Sequence, residues 1–340
     1  MRRRLIKQGH DTLTITLPKE WVAQQSLKKG DEISILNQNG NLILGSDKKS
    51  DSVKKIEIDV TNLSTTLIWR YFMAAYRTGY DEIKFTFNNP KKPYEVSLSS
   101  TRILEKKTDK IKKPIKLSII EILQDIAHRF VGTEIIEQKG NYCIIKDVSE
   151  TTEKEFENSI RRIFTLLIGM AEDNLLLLEK KDDRLRSNID VSDINIDRFT
   201  DYCLRILNKN KHNKENSHYA SLYSIIILLE FLGDEYRKMA LHETRIHRKN
   251  KYLIEFSKRT KEILELFYNF FYKFGDKKAI DIHNKERKLH YDMDKAFSKL
   301  EKEELHILFH LKKIKRIIID LIMFRIEQEV TYKYLDPSFK

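Results

Sequence analysis

The sequence predicts an α+β multidomain protein: a small β module, then a middle α/β region, then a long all-α region. Short alternating apolar stretches separated by turn signals fill the first 150 residues or so, and such stretches are typical of strands. The five prolines stand at positions 18, 90, 93, 114 and 337, so residues 115–336 contain none. A stretch that long without its strongest helix breaker is expected to be mostly helical.

The first module covers residues 1–46 and is strongly basic at its start. Arg2, Arg3 and Arg4 open a short predicted strand that ends with Lys7. The elements predicted after it are a strand at 12–17, a short helix through Trp21, a turn at 27–31, a strand at 32–36 and, after Asn39-Gly40, a return strand at 41–44. A unit this small cannot bury a core alone, so we expect it to pair with a copy of itself.

Two segments of this module, TITLPKEW at 14–21 and LKKGDEISI at 27–35, carry a family resemblance. Their order and spacing resemble the AbrB/SpoVT/MazE family of swapped-hairpin DNA-binding domains. The resemblance implies a dimeric β-barrel that binds DNA through its basic N-terminal strands. It therefore implies that Arg2, Arg3, Arg4 and Lys7 contact the DNA.

The segment Gly9-His10-Asp11 departs from the family pattern, which often has a small residue or a Ser/Arg-type residue there. Asp11 places an acid near the proposed DNA-binding face. The alternative interpretation is that the module serves only as a dimerisation handle, as in swapped-hairpin domains that bind protein partners.

Composition limits the class of protein. The formal net charge of +12 favours a polyanionic partner but does not identify one. Cys143 and Cys203 are far apart and form no CxxC, which argues against disulfide scaffolds and zinc knuckles. The basic N-terminus lacks the apolar core of a signal peptide, and no apolar run reaches the roughly 20 residues of a membrane span. We therefore expect a cytoplasmic protein that does not insert into membranes.

The remaining chain divides into two predicted regions. Residues 54–148 form an α/β domain without a Gly-rich phosphate loop or a nucleophile elbow. Residues 151–332 carry helical spacing, beginning with the capping box Thr152-x-x-Glu155. The predicted helices begin at that box, near Asp193, near Ser217, after Asn250, near Lys278 and near Lys302. Six long helices in two groups of three predict two tandem antiparallel three-helix bundles.

The third of these helices contains a pair of acids, Glu230 and Asp234, one turn apart on a largely apolar face. Like charges at this spacing repel each other unless a cation compensates. Carboxylate oxygens are ligands of hard divalent or trivalent metal ions, so the pair is a candidate metal site. The alternative is an ion-pair set, because Arg237 and Lys238 follow Asp234 by three and four residues.

The segment Leu229-Glu230-Phe231-Leu232-Gly233-Asp234 resembles the metal motif of the PhoU family of phosphate-uptake regulators. A second stretch, residues 196–205, resembles PhoU-like chains of archaea. The resemblance covers about 150–330 and implies a PhoU-like fold with tandem three-helix bundles. The second bundle has Arg316 where the first acid of the motif is expected, which argues against a metal site in that repeat.

Other patterns predict structure rather than chemistry. His242 and His247 are spaced one residue too far apart for a metalloprotease motif, and His306 and His310 lack the glutamate that such a site needs. The aromatic run at 267–274 places rings all around a helix, so packing is the better account than base stacking.

The combination of an AbrB-like start with a PhoU-like helical region resembles archaeal phosphate-uptake regulators. It predicts a homodimeric transcription regulator of phosphate homeostasis, with the helical part sensing a metal, phosphate status or a partner protein. The alternative is a signalling adaptor whose barrel only dimerises, while the helices dock on a phosphate-transporter ATPase or a sensor kinase. An enzyme is the least supported class, because no nucleophile–base pair emerges.

Overall fold

The computed structural model describes residues 2–38, 41–45, 53–96, 115–149, 152–180, 182–209, 216–246 and 248–335. The chain divides into two compact units, an N-terminal unit of residues 1–53 and a C-terminal unit of residues 54–340. This division separates the first predicted module from the rest and keeps the α/β region together with the helices.

The N-terminal unit consists of two hairpins around a short helix. Strand β1 (Ile6–Gln8) pairs antiparallel with β2 (Thr12–Thr14), and β3 (Ser34–Gln38) pairs antiparallel with β4 (Asn41–Gly45). Helix α1 (Lys19–Gln24) lies between them in the chain. The predicted Asn39-Gly40 turn lies outside the described residues, at the point where β3 and β4 join.

The predicted turn before β3 has a clear local cause. Gly30 adopts a φ of +97°, which a residue with a Cβ rarely adopts, and the backbone N–H of Lys28 donates to Asp31 Oδ2 at 2.6 Å. The order Lys-Gly-Asp thus supplies both the left-handed residue and the side chain that closes the turn.

The described side chains of the N-terminal unit form no buried core. Among its described side chains none is buried, and six large apolar residues are more than half exposed: Leu5, Ile6, Leu13, Ile15, Ile35 and Leu42. Isolated apolar residues on a surface are ordinary, whereas the described part of this unit exposes several large ones together. Burial of these side chains against a partner surface would remove them from water.

The C-terminal unit begins with a four-stranded sheet. Strand β5 (Lys55–Asp59), helix α2 (Thr65–Thr78) and strand β6 (Glu82–Thr86) form a parallel βαβ crossover. After a small antiparallel pair, β7 (Tyr94–Val96) with β8 (Ile115–Leu117), the chain enters helix α3 (Ile119–Arg129). The hairpin of β9 (Thr133–Gln138) and β10 (Tyr142–Asp147) completes the sheet in the order β5-β6-β10-β9.

Local sequence signals set the ends of these helices. The Ser64 side chain caps α2, and Gly79 ends it in the left-handed conformation with a φ of +94°. Ser118 and Glu121 form a capping box at the start of α3. Between the helices and the sheet, the rings of Phe72 and Phe130 pack with their centroids 4.8 Å apart, in a core of fully buried aromatic and aliphatic side chains.

Six helices follow, as predicted, within the part of the chain that is described. They are α4 (Glu153–Lys180), α5 (Asp183–Lys209), α6 (Asn216–Glu243), α7 (Lys251–Tyr272), α8 (Asp276–Ala296) and α9 (Lys302–Leu335). The apolar residues of α4 that repeat with the helical period from Phe156 to Ala171 are buried, and Thr152 accepts from the N–H of Glu155 at 3.2 Å. Among the described helices, none combines the length and the apolar content of a membrane span.

The predicted start of α5 near Asp193 is wrong, because the helix begins ten residues earlier, at Asp183. The side chain of Asp182 accepts from the N–H of Arg184 at 2.9 Å and so satisfies a free donor of the first turn. Ile189 is fully buried and follows the polar residues 180–188, whose composition predicts a loop. The polar residues taken for a loop are thus the exposed face of a helix.

The two predicted groups of three helices, α4–α6 and α7–α9, share one core. Phe164 of α4 packs against Phe267, Tyr268, Phe271 and Tyr272 of α7, with ring centroids 5.2–6.0 Å apart. This contact confirms that the aromatic run at 267–274 serves packing between the groups. Base stacking is therefore not needed to explain the run.

Candidate nucleic-acid interface and carboxylate pair

The four predicted DNA-binding residues lie at the start of the N-terminal unit and are exposed. Lys7 lies within β1, opposite Leu13 of β2. Arg2, Arg3 and Arg4 precede β1, so the prediction that they form part of this strand is wrong for a single protomer. A strand needs a ladder partner, and none of the described residues pairs with this segment.

These cations are available to a partner. Within the described residues, none of Arg2, Arg3, Arg4 and Lys7 forms an ion pair. Asp11 is exposed beside the turn at Gly9, which has a φ of +79° and joins β1 to β2. The basic segment therefore presents several unneutralised charges, as contacts to phosphate groups require.

The carboxylate pair lies on α6, where both side chains are partly exposed. Asp234 accepts a charged hydrogen bond from Lys238 Nζ at 3.3 Å, one turn further along the helix. Glu230 is likewise engaged within the protein. Arg237, the other predicted neutralising residue, instead pairs with Asp193 of α5 at 3.1 Å. The contact of Asp234 with Lys238 is thus the one that the ion-pair interpretation predicts.

The glycine of this segment has a packing role. A Cβ built on Gly233 would lie 3.2 Å from Ile196 Cδ1 of α5, closer than most side chains approach each other. Gly233 therefore allows α5 and α6 to pack closely at the residue before Asp234.

Asp234 lines a groove of about 390 Å³ between α6 and α9. The groove also contains the side chains of Glu235, Lys238, Lys313 and Arg316. Burial raises the pKa of Glu235, but hydrogen bonds from His310 and Lys238 prevail and hold the pKa at about 2. Its negative charge is thus stabilised by hydrogen bonds within the protein.

No group of three or more His, Cys, Asp or Glu side chains in the described part of the chain is arranged to hold a metal ion. Glu230 and Asp234 are the residues that would hold a divalent or trivalent ion, but only Asp234 is among the residues that line the groove. The metal site stays a prediction.

Acids on the neighbouring helix α5 have structural partners. Asp197 pairs with Arg129 of α3 at 2.6 Å, and Asp201 pairs with Arg77 of α2 at 2.5 Å. Burial raises the pKa of Asp201 to about 6, against the opposing effect of Arg77. These acids connect α5 to the helices that cover the sheet.

A histidine cluster lies where α6 and α9 meet. His242 of α6 stacks on His306 of α9 with centroids 4.6 Å apart and lies 5.4 Å from the ring of His310. His310 Nδ1 hydrogen bonds to Glu235 Oε2 at 2.8 Å. Burial lowers the pKa of His242, and the nearby His306 and His310 lower it further, against a raising effect from Glu303. The spacing of His306 and His310 in the sequence shows that these two residues share a helix face. Only the fold shows that His242 lies against them.

Comparison with known proteins shows what the N-terminal unit is similar to. Residues 6–54 match the family described as antidote-toxin recognition MazE, bacterial antitoxin, which confirms the predicted type of this module. Among curated proteins, none matches this chain in sequence.

One solved structure similar to this chain is the phosphate transport system regulatory protein PhoU from Streptococcus pneumoniae. The identity is 20%, the TM-score is 0.46, and the match covers 52% of this chain and 94% of that one. Likeness at this level does not assign a function, which has to come from the residues themselves.

Proposed function

We propose that this protein is a homodimeric DNA-binding transcription regulator. Two copies of the N-terminal unit form one β-barrel, and Arg2, Arg3, Arg4 and Lys7 of each copy contact DNA. The helices of the C-terminal unit act as a cytoplasmic sensor or docking domain. On the resemblance of residues 229–234 to PhoU, we assign phosphate uptake as the process that it controls.

The observation that carries this proposal is the absence of any buried side chain among the described residues of the N-terminal unit. Exposed apolar residues such as Leu13 and Leu42 need a cover, and a second copy supplies the same apolar surface in return. The MazE-type match covers this same unit. Pairing would bring the basic segments of both copies, with their unneutralised charges, into one dimer.

The charge of the basic segment predicts a steep salt dependence. Four cations per protomer give up to eight phosphate contacts per dimer, so the logarithm of the binding constant should fall with a slope of up to about −7 against the logarithm of the salt concentration. Direct readout of bases by the arginines would add sequence preference to this electrostatic attraction.

The test is selection of bound duplexes from a randomised DNA pool, followed by salt-titrated gel-shift assays with the enriched duplex. Replacing Arg3 and Arg4 by Ala is expected to abolish retention of the duplex and leave the dimer intact. The matched control replaces Lys28 and Lys29 by Ala. This variant loses the same amount of charge from the exposed turn of the same unit, and it should keep most of the DNA binding. Failure of the wild type to enrich any duplex would show that the unit does not bind DNA.

The second candidate function is a signalling adaptor, and the description of the matched family as toxin recognition favours it. In this case the barrel joins two chains, and the helices dock on a protein such as a phosphate-transporter ATPase or a sensor kinase. An adaptor should show no steep salt slope with DNA, so the same titration separates the two functions.

A further inference from the structure

A second cavity, of about 480 Å³, lies at the junction of the two groups of helices. Its lining comes from α4, α6, α7 and α9, so it is bounded by both groups. Cavities between helices are common sites for small molecules, and the volume lies within the usual range of about 300–1,000 Å³. Neither the basic segment nor the carboxylate pair is part of this cavity.

One wall of the cavity is apolar. Phe156 and Ile160 of α4 are buried one turn apart, and Leu222 of α6 and Phe271 of α7 complete the wall. This wall can take the apolar body of a ligand and remove it from water.

Two opposite charges stand beside the apolar wall. Glu157 and Arg161 each follow a wall residue by one position, so they too are one turn apart on α4. Both are exposed, and within the described residues neither forms an ion pair. The guanidinium of Arg161 lies 4.2 Å from the centre of the Tyr272 ring, which orients it at the cavity.

The other charges of the cavity are already engaged. Arg325 donates to the carbonyl oxygen of Phe271 at 3.0 Å and pairs with Glu329 at 3.3 Å. Glu153 also has a partner within the protein. The charges left for a ligand are therefore one anion, Glu157, and one cation, Arg161.

Two polar side chains complete the lining of the cavity. Gln328 of α9 is only 6% exposed, and its side chain makes no hydrogen bond within the described part of the chain. Among the described residues, the hydroxyl of Tyr272 is buried without a hydrogen bond, and burial raises its pKa. A buried polar group without a partner is costly, so the Tyr272 hydroxyl points to a ligand or solvent that satisfies it.

We propose that this cavity binds a small zwitterion with an apolar body, of the class of an apolar α-amino acid. Arg161 holds the carboxylate, Glu157 holds the ammonium, and the side chain of the ligand packs on the wall formed by Phe156, Ile160 and Leu222. Gln328 and Tyr272 supply further hydrogen bonds. The site belongs to the C-terminal unit alone, so it stands whether or not the N-terminal unit binds DNA.

Isothermal titration calorimetry of the full chain, without DNA, tests the site with L-phenylalanine and L-leucine. Phenylacetate lacks the ammonium group and phenethylamine lacks the carboxylate, and each is expected to bind at least about 10-fold more weakly than L-phenylalanine because a charged contact is lost. Phenylacetate that binds as tightly as L-phenylalanine would overturn the zwitterion. Absence of saturable binding by both amino acids would overturn the site.

Variants on the exposed surface of α4 locate the binding. Replacing Arg161 by Ala should weaken binding of both amino acids at least about 10-fold. Glu157→Gln should weaken binding of the amino acids but not of phenylacetate. Arg162, the next residue, is exposed, lies over the ring of Phe199 and lines none of this cavity, so Arg162→Ala is the matched control and should bind as the wild type does. Equal affinities of the Arg161→Ala and Arg162→Ala variants would show that the ligand binds elsewhere.

Discussion

Arg205 of α5 donates two hydrogen bonds, through Nε and Nη2, to a single carboxylate oxygen of Asp147, at 2.9 and 2.7 Å. Asp147 is the last residue of β10, so the pair joins the helices to the sheet. The side chain of Arg205 is fully buried and that of Asp147 is 3% exposed. A third donor of Arg205 reaches the carbonyl oxygen of Tyr76 at 2.8 Å. The guanidinium is therefore bound by two residues of the α/β region, Asp147 and Tyr76.

Removing one member of this pair should destabilise the C-terminal unit strongly. In the Asp147→Asn variant the buried guanidinium loses its main counter-charge, so the free energy of unfolding should fall by about 3–5 kcal/mol. Urea unfolding followed by far-UV circular dichroism measures the change. The control is Arg184→Ala, which removes an arginine that is 90% exposed and paired with Asp182; its effect should stay below about 1 kcal/mol. Similar losses in the two variants would contradict a structural role of the buried pair.

Glu243, at the end of α6, offers a substitution that stabilises. Both of its carboxylate oxygens are buried and receive no hydrogen bond from the described residues, and burial raises its pKa well above the ordinary value of 4.5. Because the folded pKa is raised, its contribution to stability is fully present below pH 4.5 and is lost as the pH rises through the folded pKa. Glu243→Met should therefore increase the free energy of unfolding at pH 8 by about 1–3 kcal/mol.

The measurement for Glu243 is urea unfolding at pH 5 and at pH 8. The increase in the free energy of unfolding from Glu243→Met should be larger at pH 8, because the same carboxyl ionises in the unfolded wild-type chain at that pH. Glu255, an exposed glutamate of α7, is the control, and Glu255→Met should show no such dependence on pH. A loss of stability in Glu243→Met at pH 8 would mean that the carboxylate is satisfied in the folded protein.

The histidine cluster predicts sensitivity to acid. The pKa of His242 is lowered in the folded protein, so below the unfolded value of 6.5 the unfolded chain binds the proton more readily. The contribution of His242 to stability is complete above pH 6.5 and is lost as the pH falls toward the folded pKa. His242→Phe keeps a ring to stack on His306 and should reduce the loss of thermal stability between pH 7.5 and 5.5. His283, an exposed histidine of α8, provides the control substitution, His283→Phe. An unchanged pH profile in the His242 variant would exclude this residue as the source.

Elements whose signals are local in sequence could be predicted. Ser118 and Glu121 are three residues apart, Gly79 ends its own helix, and the stripe from Phe156 to Ala171 repeats with the helical period. The start of α5 could not be predicted, because Asp182 and the exposed residues after it have the composition of a loop. Polarity alone does not distinguish a loop from the solvent-facing side of a helix.

Contacts between elements far apart in the chain could not be predicted either. Arg205 meets Asp147, which lies 58 residues earlier, and His242 meets His306 only because α6 and α9 are neighbours. No spacing rule connects such residues, since the fold alone brings them together. The same holds for the cavity beside Glu157 and Arg161. Their spacing on α4 is visible in the sequence, whereas the walls come from three other helices.

The last prediction concerns the proposed dimer of the N-terminal unit. Leu42 of β4 is 69% exposed in the single chain, and burial against a second copy would remove it from water. Leu42→Glu places a charge in that interface, so sedimentation equilibrium should shift from dimer to monomer, with at least about a 10-fold weaker association. Leu67→Glu is the matched control, since Leu67 is an exposed leucine on α2 of the C-terminal unit, and it should leave the association unchanged. A wild-type chain that sediments as a monomer would exclude the paired barrel, and with it the joined basic segments on which the proposed DNA contact depends.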